Sequence, residues 1–382
     1  MTIAMRKLEA LSASLTHFET RALHAHVSLA DGHAYHEMPA PIAGVLADLG
    51  TIWRRATSRP IPEQEDSYKA CLAELIGSPA LRAHTAYSVS PTASSSLDVA
   101  ATWLRKRGYT VGLIEPVFDN LHLIVRRREV SCVAVGERAL TDLDELQRLI
   151  TRHRLDAILI VNPNNPTGFQ LSEPQFTALV RVLADRGVAL IVDRTFRFYS
   201  ELAFDDYRIL IDSGVDFVTI EDTGKTWPTL DLKVSLLGYS RAIADEMRGL
   251  YEEIFLCHSP FALALHEALL RETRKHSLKK LVWDLVRERS LHVQDALAGG
   301  PLHIQPSDCK LPVLWVSCAQ TLLSDLELHA RFERSGVSVL PGRFFYWCDD
   351  SAHRHFIRIS LMRPAAKFHA GVRLLGELAR VL

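Results

Sequence analysis

The sequence has no excess of either charge, since 44 lysines and arginines face 45 aspartates and glutamates. Such a balance creates no global field that would draw the protein to nucleic acid or to a membrane surface. The six cysteines are scattered without a CxxC pair, which predicts reduced thiols rather than a disulfide framework. No run approaches the roughly 18 apolar residues of a membrane span, and the first residues lack a signal-peptide core. We therefore expect a cytoplasmic protein with a small-molecule partner.

The chain has no internal repeat and no low-complexity stretch, and 382 residues allow one large domain and a smaller one. Apolar residues recur at helical spacing in the stretches 41–57, 66–77, 95–107, 139–152, 172–186, 241–256, 261–297 and 321–334. Short β-branched runs lie between the earlier helices, at 110–116, 155–162, 188–193, 215–222 and 234–240.

Strands that alternate with helices predict an α/β protein with a mostly parallel sheet covered on both faces. Beyond residue 300, strand-like pieces around two helices predict a smaller α+β domain, with the boundary inside the helical stretch 261–297. We expect residues 1–45 to cover the site, 46–285 to form the large ligand-binding domain and 286–382 the small C-terminal domain.

Polar residues follow the predicted strands at their carboxyl ends, where ligands bind in open α/β sheets. Asp193 ends one apolar run, and a buried carboxylate there is costly unless a cation pairs with it, although capping the next turn is an alternative. Lys225 follows another buried strand, where desolvation would lower the amine pKa and favour reaction with an aldehyde. Taken alone, most lysines are surface charges.

The segment NPNNPTG at 162–168 is a turn by composition, but its spelling resembles a specific family signature. Together with Asp193 and Lys225 at their spacing, it resembles the fold-type-I superfamily, aminotransferase class I/II, over roughly residues 60–365. The resemblance implies pyridoxal 5′-phosphate (PLP) as cofactor and a large domain built on a seven-stranded sheet. It also implies a homodimer with an isologous interface.

By this resemblance, four residues would hold the cofactor ring. Lys225 would form the Schiff base, Asp193 would hold the pyridinium and Asn165 would hydrogen-bond the phenolic oxygen. Phe118, in EPVFDN, matches the aromatic residue that stacks on the ring.

The same resemblance assigns the two anionic groups of cofactor and substrate. Thr92, Ala93 and Ser94 match the phosphate-binding loop, and the helix 95–107 would direct its N-terminal dipole at the phosphate. Arg358, in FIRISL, matches the arginine that binds the substrate α-carboxylate, a bidentate contact for which lysine is a poor substitute.

Three positions depart from the transaminase pattern. The tyrosine expected three residues after the pyridine-binding aspartate is Phe196, and we expect Thr195 to replace its hydroxyl in part. The arginine expected eight residues after the Schiff-base lysine is Lys233, which keeps a charge for phosphate without the guanidinium fork. The serine expected three residues before that lysine is Asp222, and a carboxylate beside a phosphate dianion is unfavourable unless a cation lies nearby.

A cationic substrate would supply that cation, and EDTGKTWPTLDLK at 221–233 resembles the O2- and PLP-dependent L-arginine oxidases. This group includes the arginine hydroxylases and desaturases of natural-product pathways, and LTHFE (15–19) and LADGHA (29–34) resemble it too. By this resemblance the guanidinium would be surrounded by Thr16, Glu19, Asp31 and Asp222. Asp222 would then also act in catalysis, and His33 would be the base or proton donor in the oxidative steps.

Some of these residues have plainer interpretations. Glu19 and Asp31 are also interpretable as solvated helix and loop charges. His24, His26, His33 and His36 stand at HxH and HxxH spacing, but they lack the carboxylate motif of a metal site, so we predict none.

The predicted function is oxidation of L-arginine by O2 to 4-hydroxy-2-oxoarginine and 2-oxoarginine, with release of H2O2 and ammonia. A desaturase giving dehydroarginine is an alternative, because the outcome depends on how water and His33 are placed around one intermediate. A conventional class I/II aminotransferase and a non-catalytic binding protein of the same fold are the others.

Overall fold

The computed structural model describes residues 14–349 and 352–382, and its largest element is a seven-stranded sheet. In chain order the strands are β1 Val27–Ser28, β2 Tyr87–Ser90, β3 Thr110–Glu115, β4 Ser131–Gly136, β5 Ala157–Val161, β6 Ala189–Asp193, β7 Phe217–Asp222, β8 Ser235–Tyr239, β9 His303–Ile304, β10 Val313–Ser317, β11 Val337–Ser338, β12 Leu340–Pro341 and β13 Phe356–Ser360.

Helices connect these strands. The α-helices are α1 Leu15–Ala22, α2 Gly44–Ala47, α3 Leu49–Ala56, α4 Ile61–Ile76, α5 Pro79–Ala83, α6 Ala93–Arg107, α7 Asn120–Arg127, α8 Leu143–His153, α9 Glu173–Asp185, α10 Asp206–Ser213, α11 Ala244–Glu252, α12 Pro260–His276, α13 Asp284–Leu297, α14 Asp325–Arg334 and α15 Ala365–Ala379. Short 3-10 turns lie at Ala40–Ile42, Glu137–Leu140, Arg197–Tyr199, Arg241–Ile243 and Arg343–Phe345, and a π-helical turn at Lys279–Trp283. In the described residues, every helix is too short or too polar to span a bilayer.

The large sheet has the strand order β2–β8–β7–β6–β5–β3–β4. Of these strands, β8 runs antiparallel to its two neighbours and the others run parallel to one another. The predicted α/β class with a mostly parallel sheet is thus confirmed. The register pairs Val161 with Asp193 and Asp193 with Ile220, so the carboxyl ends of β5, β6 and β7 lie side by side.

The sequence does not predict the two outer strands of this sheet, β2 and β4. The serines of β2 are buried through hydrogen bonds, Ser88 with Tyr239 at 3.0 Å and Ser90 with Ser96 at 2.6 Å. Strand β4 lies at the other edge and is partly exposed. Neither strand therefore shows the buried β-branched run that marks β5 and β6.

The predicted helical stretch 261–297 is two helices, which corrects the sequence prediction. Helix α12 ends at His276, and Ser277 follows in the left-handed region with φ +72°. The π-helical turn then leads into α13. No glycine or proline marks this break, so hydrophobic periodicity alone runs across it.

The N-terminal segment is attached to the C-terminal part of the chain. Strand β1 pairs in parallel with β11, Val27 opposite Val337. Leu29 then donates its N–H to the Ser338 carbonyl at 2.8 Å and accepts from the Ser360 N–H at 2.7 Å. A four-stranded sheet in the order β12–β13–β10–β9 lies beside this pair. The boundaries at 45/46 and 285/286 stay predictions.

Candidate active site

A cavity of about 260 Å³ lies at the carboxyl ends of β5, β6 and β7. Its walls come from α1 and the segment after it, from the N-terminus of α6, from the large sheet and from β13. The sequence-assigned residues that line it are Thr16, Glu19, His33, Thr92, Ala93, Ser94, Phe118, Asn165, Asp193, Thr195, Asp222, Lys225, Lys233 and Arg358. Asp31 lies behind the wall, where its carboxylate contacts His33.

Lys225 follows β7 and reaches the buried part of the cavity. Burial lowers the pKa of its amine, and the positive charge of Lys233 lowers it further. The carboxylates of Asp31, Glu19 and Asp222 act in the opposite direction. A lowered pKa increases the share of the neutral amine, which is the nucleophilic form.

Gly224 allows the loop between Asp222 and Lys225 to turn sharply. A Cβ at this position would clash with the Lys233 side chain and press on the Asp222 carboxylate. The Gly224 N–H donates to Oδ1 of Asp222. Glycine here therefore lets the two lysines and the aspartate share one cavity.

Asp193 is a buried acid at the end of β6. Burial raises the pKa of its carboxyl to about 6, against two hydrogen bonds from Thr195. The Thr195 N–H and hydroxyl donate to the same Oδ1, at 2.8 and 2.5 Å. This corrects the expectation that Thr195 replaces the absent tyrosine hydroxyl, because a short side chain two residues past the strand reaches back to Asp193 instead.

Arg358 on β13 also lines the cavity and is 1% exposed. Its Nη1 donates to Oδ1 of Asn165 at 3.3 Å, and its Nη2 to the Ala30 carbonyl at 2.6 Å. The guanidinium carbon lies 5.6 Å from the ring centre of Phe118 and 5.4 Å from that of Phe345, a cation–π arrangement. Because the carbonyl oxygen of Asn165 accepts from Arg358, the NH2 group of Asn165 remains as a donor on the side away from Arg358.

The N-terminus of α6 closes the cavity on one side. The Thr92 hydroxyl caps the helix by accepting from the N–H three residues on, at 3.0 Å. The N–H of Ala93, the residue directly after Thr92, donates to Oδ2 of Asp222 at 3.0 Å. Ser94 accepts a hydrogen bond from the Asn120 side chain at 3.1 Å. The helix terminus favours a negative group, and Asp222 supplies one.

His33 lies between two carboxylates. Its backbone N–H donates to Oδ1 of Asp31 at 2.8 Å, and its Nδ1 hydrogen-bonds the same oxygen. Its Nε2 lies 3.6 Å from Oδ1 of Asp231, which is also 3.0 Å from the Lys233 ammonium. The Tyr35 hydroxyl donates to Oδ2 of Asp231 at 3.1 Å. These contacts join the N-terminal segment to the loop after β7.

Asp31 and Glu19 are not solvated charges, so that interpretation is wrong for both. Asp31 is buried; burial raises the pKa of its carboxyl, but His33 and Arg363 outweigh burial and hold the pKa well below its ordinary value. Glu19 turns into the cavity, with Oε1 3.0 Å from Nη2 of Arg358.

Arg363 shapes the site, although the sequence does not single it out. Its guanidinium is buried and donates to the backbone carbonyls of Ser28 at 2.9 Å and His33 at 3.2 Å, and also to that of Asp31. Three carbonyls of the N-terminal segment thus converge on one cation. A second arginine five residues after Arg358 is the available sequence signal.

Asp119, which directly follows Phe118, is a second residue that shapes the site without being singled out by the sequence. Its Oδ2 accepts from the Leu15 N–H at 2.7 Å and so holds the first residue of α1. Burial raises the pKa of the Asp119 carboxyl to about 6, and the Leu15 N–H opposes this shift. Asp231, beside His33, is the third, and only tertiary structure brings it there.

The residues of the cavity fit PLP. Asp193 is a buried acid with a raised pKa, a state that a pyridinium cation would relieve. Lys225 is a buried amine with a lowered pKa. Phe118 would hold the ring, and the α6 terminus with Lys233 would hold the phosphate.

Comparison with known proteins agrees with this fit. The family model for aminotransferase class I and II matches residues 56–371. An aspartate aminotransferase of Thermococcus kodakarensis is 26% identical over 286 residues, 70% of this chain and 68% of that protein. The aromatic aminotransferase ISS1 of Arabidopsis thaliana is 24% identical over 246 residues, or 62% of this chain, and the match spans 61% of its own length.

Solved structures are similar over nearly the whole chain. A structure of MppP soaked with the product 2-ketoarginine has a TM-score of 0.87 at 28% identity, covering 92% of this chain and 99% of that one. An aspartate aminotransferase from Thermus thermophilus with maleate has a TM-score of 0.79 at 17% identity, covering 99% of both, which shows the fold alone. The family match, the fold and the cavity agree: the chain belongs to the aminotransferase class I and II family of PLP enzymes.

Proposed function

We propose that this protein oxidises L-arginine with O2, using PLP as its cofactor. The products are 2-oxoarginine and 4-hydroxy-2-oxoarginine, with ammonia and H2O2. Oxidation to 2-oxoarginine removes two electrons and reduces one O2 to H2O2, with water replacing the released ammonia. The hydroxylated product requires a second two-electron oxidation of the side chain by a second O2, followed by addition of water.

The observation that carries this proposal is the negative field around the reactive amine. Asp31, Glu19 and Asp222 all act on the charge of Lys225, although burial and Lys233 keep its pKa low. A cavity lined by Glu19 and Asp222, with Asp31 behind its wall, suits an amino acid that carries a second cation at its far end. Arg358 supplies the opposite charge for the α-carboxylate.

The structural comparison supports arginine as the substrate. MppP shares 28% identity with this chain, and its product in the solved structure is 2-ketoarginine, the keto acid of arginine. Transamination of arginine gives the same keto acid, so the use of O2 rests on the departures from the transaminase pattern.

Bound PLP supplies an electron sink for the electron pair left when the α-proton is removed. Arg358 binds the α-carboxylate, and Lys225 is the base within the cavity that takes the α-proton. Asp193, whose negative charge is stabilised by two hydrogen bonds from Thr195, would hold the pyridine nitrogen of the cofactor. These assignments explain why a buried lysine and a buried aspartate lie in one cavity.

The wall at Phe196 and the segment 29–33 support oxidation rather than transamination. Phe196 lines the cavity where a transaminase has a tyrosine, and the Thr195 hydroxyl is used on Asp193. One donor that would stabilise charge on the cofactor's phenolic oxygen is therefore lost, which favours passing electrons to O2. His33, held by Asp31, carries protons at the side-chain carbons, while α1 excludes bulk water.

A conventional aminotransferase is the second candidate, because the relatives from Thermococcus and Arabidopsis are aminotransferases and the cavity keeps Asn165, Asp193, Lys225 and Arg358. A desaturase that forms dehydroarginine is a variant of the oxidase proposal. It differs in losing a proton from the side chain where the hydroxylase adds water.

The test compares arginine turnover in air with turnover under argon. We expect O2 uptake, H2O2 and both oxo products in air, identified by mass spectrometry, and no net turnover under argon. Anaerobic conversion of arginine that needs added 2-oxoglutarate, without peroxide in air, would establish the aminotransferase instead. A product lighter than arginine by two hydrogens would establish the desaturase.

A further inference from the structure

The Glu19–Arg358 ion pair occupies the part of the cavity where the proposed function places the substrate α-carboxylate. Glu19 Oε1 lies 3.0 Å from Nη2 of Arg358. In the described part of the chain, this guanidinium also contacts neutral groups: the Ala30 carbonyl, Asn165, and the rings of Phe118 and Phe345. Glu19 is the carboxylate that hydrogen-bonds Arg358, whereas Asp31 and Asp119 act on it through their charge alone.

Both members of this pair are poorly solvated. The Arg358 side chain is 1% exposed and the Glu19 side chain 14%. Breaking a buried pair by removing one partner is strongly destabilising, because the remaining charge is left uncompensated. A ligand that takes over Arg358 must therefore bring a carboxylate, and the released Glu19 needs a new cation.

Helix α1 is held by contacts that do not involve Glu19. Asp119 accepts from the Leu15 N–H at 2.7 Å, and Arg21 pairs with Glu333 at 2.8 Å. Phe18 packs in a small apolar cluster with residues of the C-terminal part. The Glu19 side chain can thus rotate away from Arg358 while the helix backbone stays in place.

We propose that Glu19 determines specificity by exchanging partners, from Arg358 in the free protein to the ligand's distal cation in the complex. The inference rests on the proposed function, since it takes arginine as the ligand. A neutral amino acid displaces Glu19 and leaves its carboxylate unpaired. A guanidine without a carboxylate leaves Glu19 on Arg358. A ligand with both groups satisfies both residues.

The exchange makes a prediction that simple guanidinium binding by Glu19 does not make. Removing the Glu19 charge should weaken arginine binding and, at the same time, strengthen binding of a neutral amino acid. If Glu19 only contacted the guanidinium, a neutral amino acid would bind the variant and the wild type equally. If Glu19 were structural, both ligands would bind less well.

The experiment titrates the PLP-loaded enzyme anaerobically with L-arginine and with L-norleucine, following cofactor absorbance. The variants are Glu19→Gln and, as a control, Glu333→Gln, which removes the α14 carboxylate that pairs with Arg21 of α1. For Glu19→Gln we expect norleucine to bind about tenfold more tightly and arginine about tenfold more weakly, a coupling of ordinary size. Glu333→Gln should leave both affinities within about twofold of the wild type, as for a half-exposed pair.

Unchanged or weaker norleucine binding in Glu19→Gln would overturn the exchange. Glu19→Asp, whose carboxylate is one methylene shorter, keeps the test available if Glu19→Gln folds poorly, and should give an intermediate gain for norleucine. Failure of the proposed function would be recognised by a different result: the wild type would form neither keto acid nor peroxide from arginine.

Discussion

The Asp222 carboxylate accepts a hydrogen bond at 3.0 Å from the Ala93 N–H, the first amide of helix α6. The resemblance to transaminases assigns the same helix terminus to the cofactor phosphate. Two anionic groups would therefore share one positive helix end, and Lys233 is one of the cations that line this cavity. A guanidinium between them would reduce their repulsion, which ties the cofactor site to the charge of the substrate.

Asp222→Asn should therefore change cofactor and substrate affinity in opposite directions. PLP should bind several-fold more tightly, because a carboxylate no longer faces the phosphate dianion. The preference for arginine over norleucine should fall by about tenfold. Fluorescence titration of the cofactor-free protein and anaerobic ligand titration measure the two effects. The control is Asp142→Asn, at an aspartate that caps helix α8 and does not line the cavity, and it should change neither affinity. Weaker PLP binding in Asp222→Asn would contradict the shared site.

Lys225→Ala should lose the visible absorbance band of the lysine-bound cofactor and all turnover. Lys69→Met is the control, since Lys69 is also buried with a pKa lowered by burial but donates to the His84 carbonyl outside the cavity. The control should keep the band, and thermal unfolding measures its stability against that of the wild type. An active Lys225→Ala enzyme with its band intact would mean that another lysine binds the cofactor.

His33→Ala should bind PLP and arginine, because those contacts belong to Lys225, Asp193 and Arg358. The share of 4-hydroxy-2-oxoarginine should fall and that of 2-oxoarginine should rise, since the proton carrier beside the side chain is lost. Mass spectrometry of the product ratio and an oxygen electrode measure this. His24→Ala, at an exposed histidine of the same segment, is the control. An unchanged ratio and unchanged oxygen uptake would remove His33 from the mechanism.

The raised pKa of Asp193 predicts how the stability of the cofactor-free protein depends on pH. The unfolded chain releases this proton near the ordinary value of 3.8, and the folded protein near 6, because burial favours the neutral acid. The contribution of Asp193 to stability is therefore complete below the unfolded pKa and is lost as the pH rises through the folded one.

The free energy of unfolding of the cofactor-free wild type should consequently fall relative to that of Asp193→Asn between about pH 4 and pH 6. Above this interval the difference should be constant. Urea unfolding at a series of pH values measures it. With PLP bound, a pyridinium cation would compensate the carboxylate and the pH dependence should be smaller. A difference that stays flat across the interval would show that Asp193 ionises as freely in the folded protein as in the unfolded chain.

The inner strands and the residues at their ends are predictable from sequence because they depend on local pattern. Strands β5 and β6 are uninterrupted buried runs, and Asp193 is visible as the charged residue that ends β6. The edge strands β2 and β4 lack that contrast, and the break after His276 carries no glycine or proline. Local composition cannot predict such features.

Pairings between distant residues are the part of the site that the sequence does not predict. Glu19 and Arg358 are 339 residues apart, and Asp31 lies 332 residues from Arg363. The resemblance assigns Glu19 to the guanidinium and Arg358 to the α-carboxylate, but their contact with each other follows from tertiary structure. The same holds for Asp231, which is placed beside His33 by the loop after β7.

The hydrogen bonds of Arg363 to the N-terminal segment also affect when this segment can fold during synthesis. Ser28 leaves the ribosome 335 residues before Arg363, the cation that its carbonyl binds. Throughout that interval Leu15, Phe18 and Leu29 lack the C-terminal partners against which they are buried. Domains generally fold as units during synthesis, N-terminal first, but this segment gains its arginine partner only after residue 363 has been translated. The nascent chain therefore exposes these apolar residues, which chaperones can bind before the wall of the active site is complete.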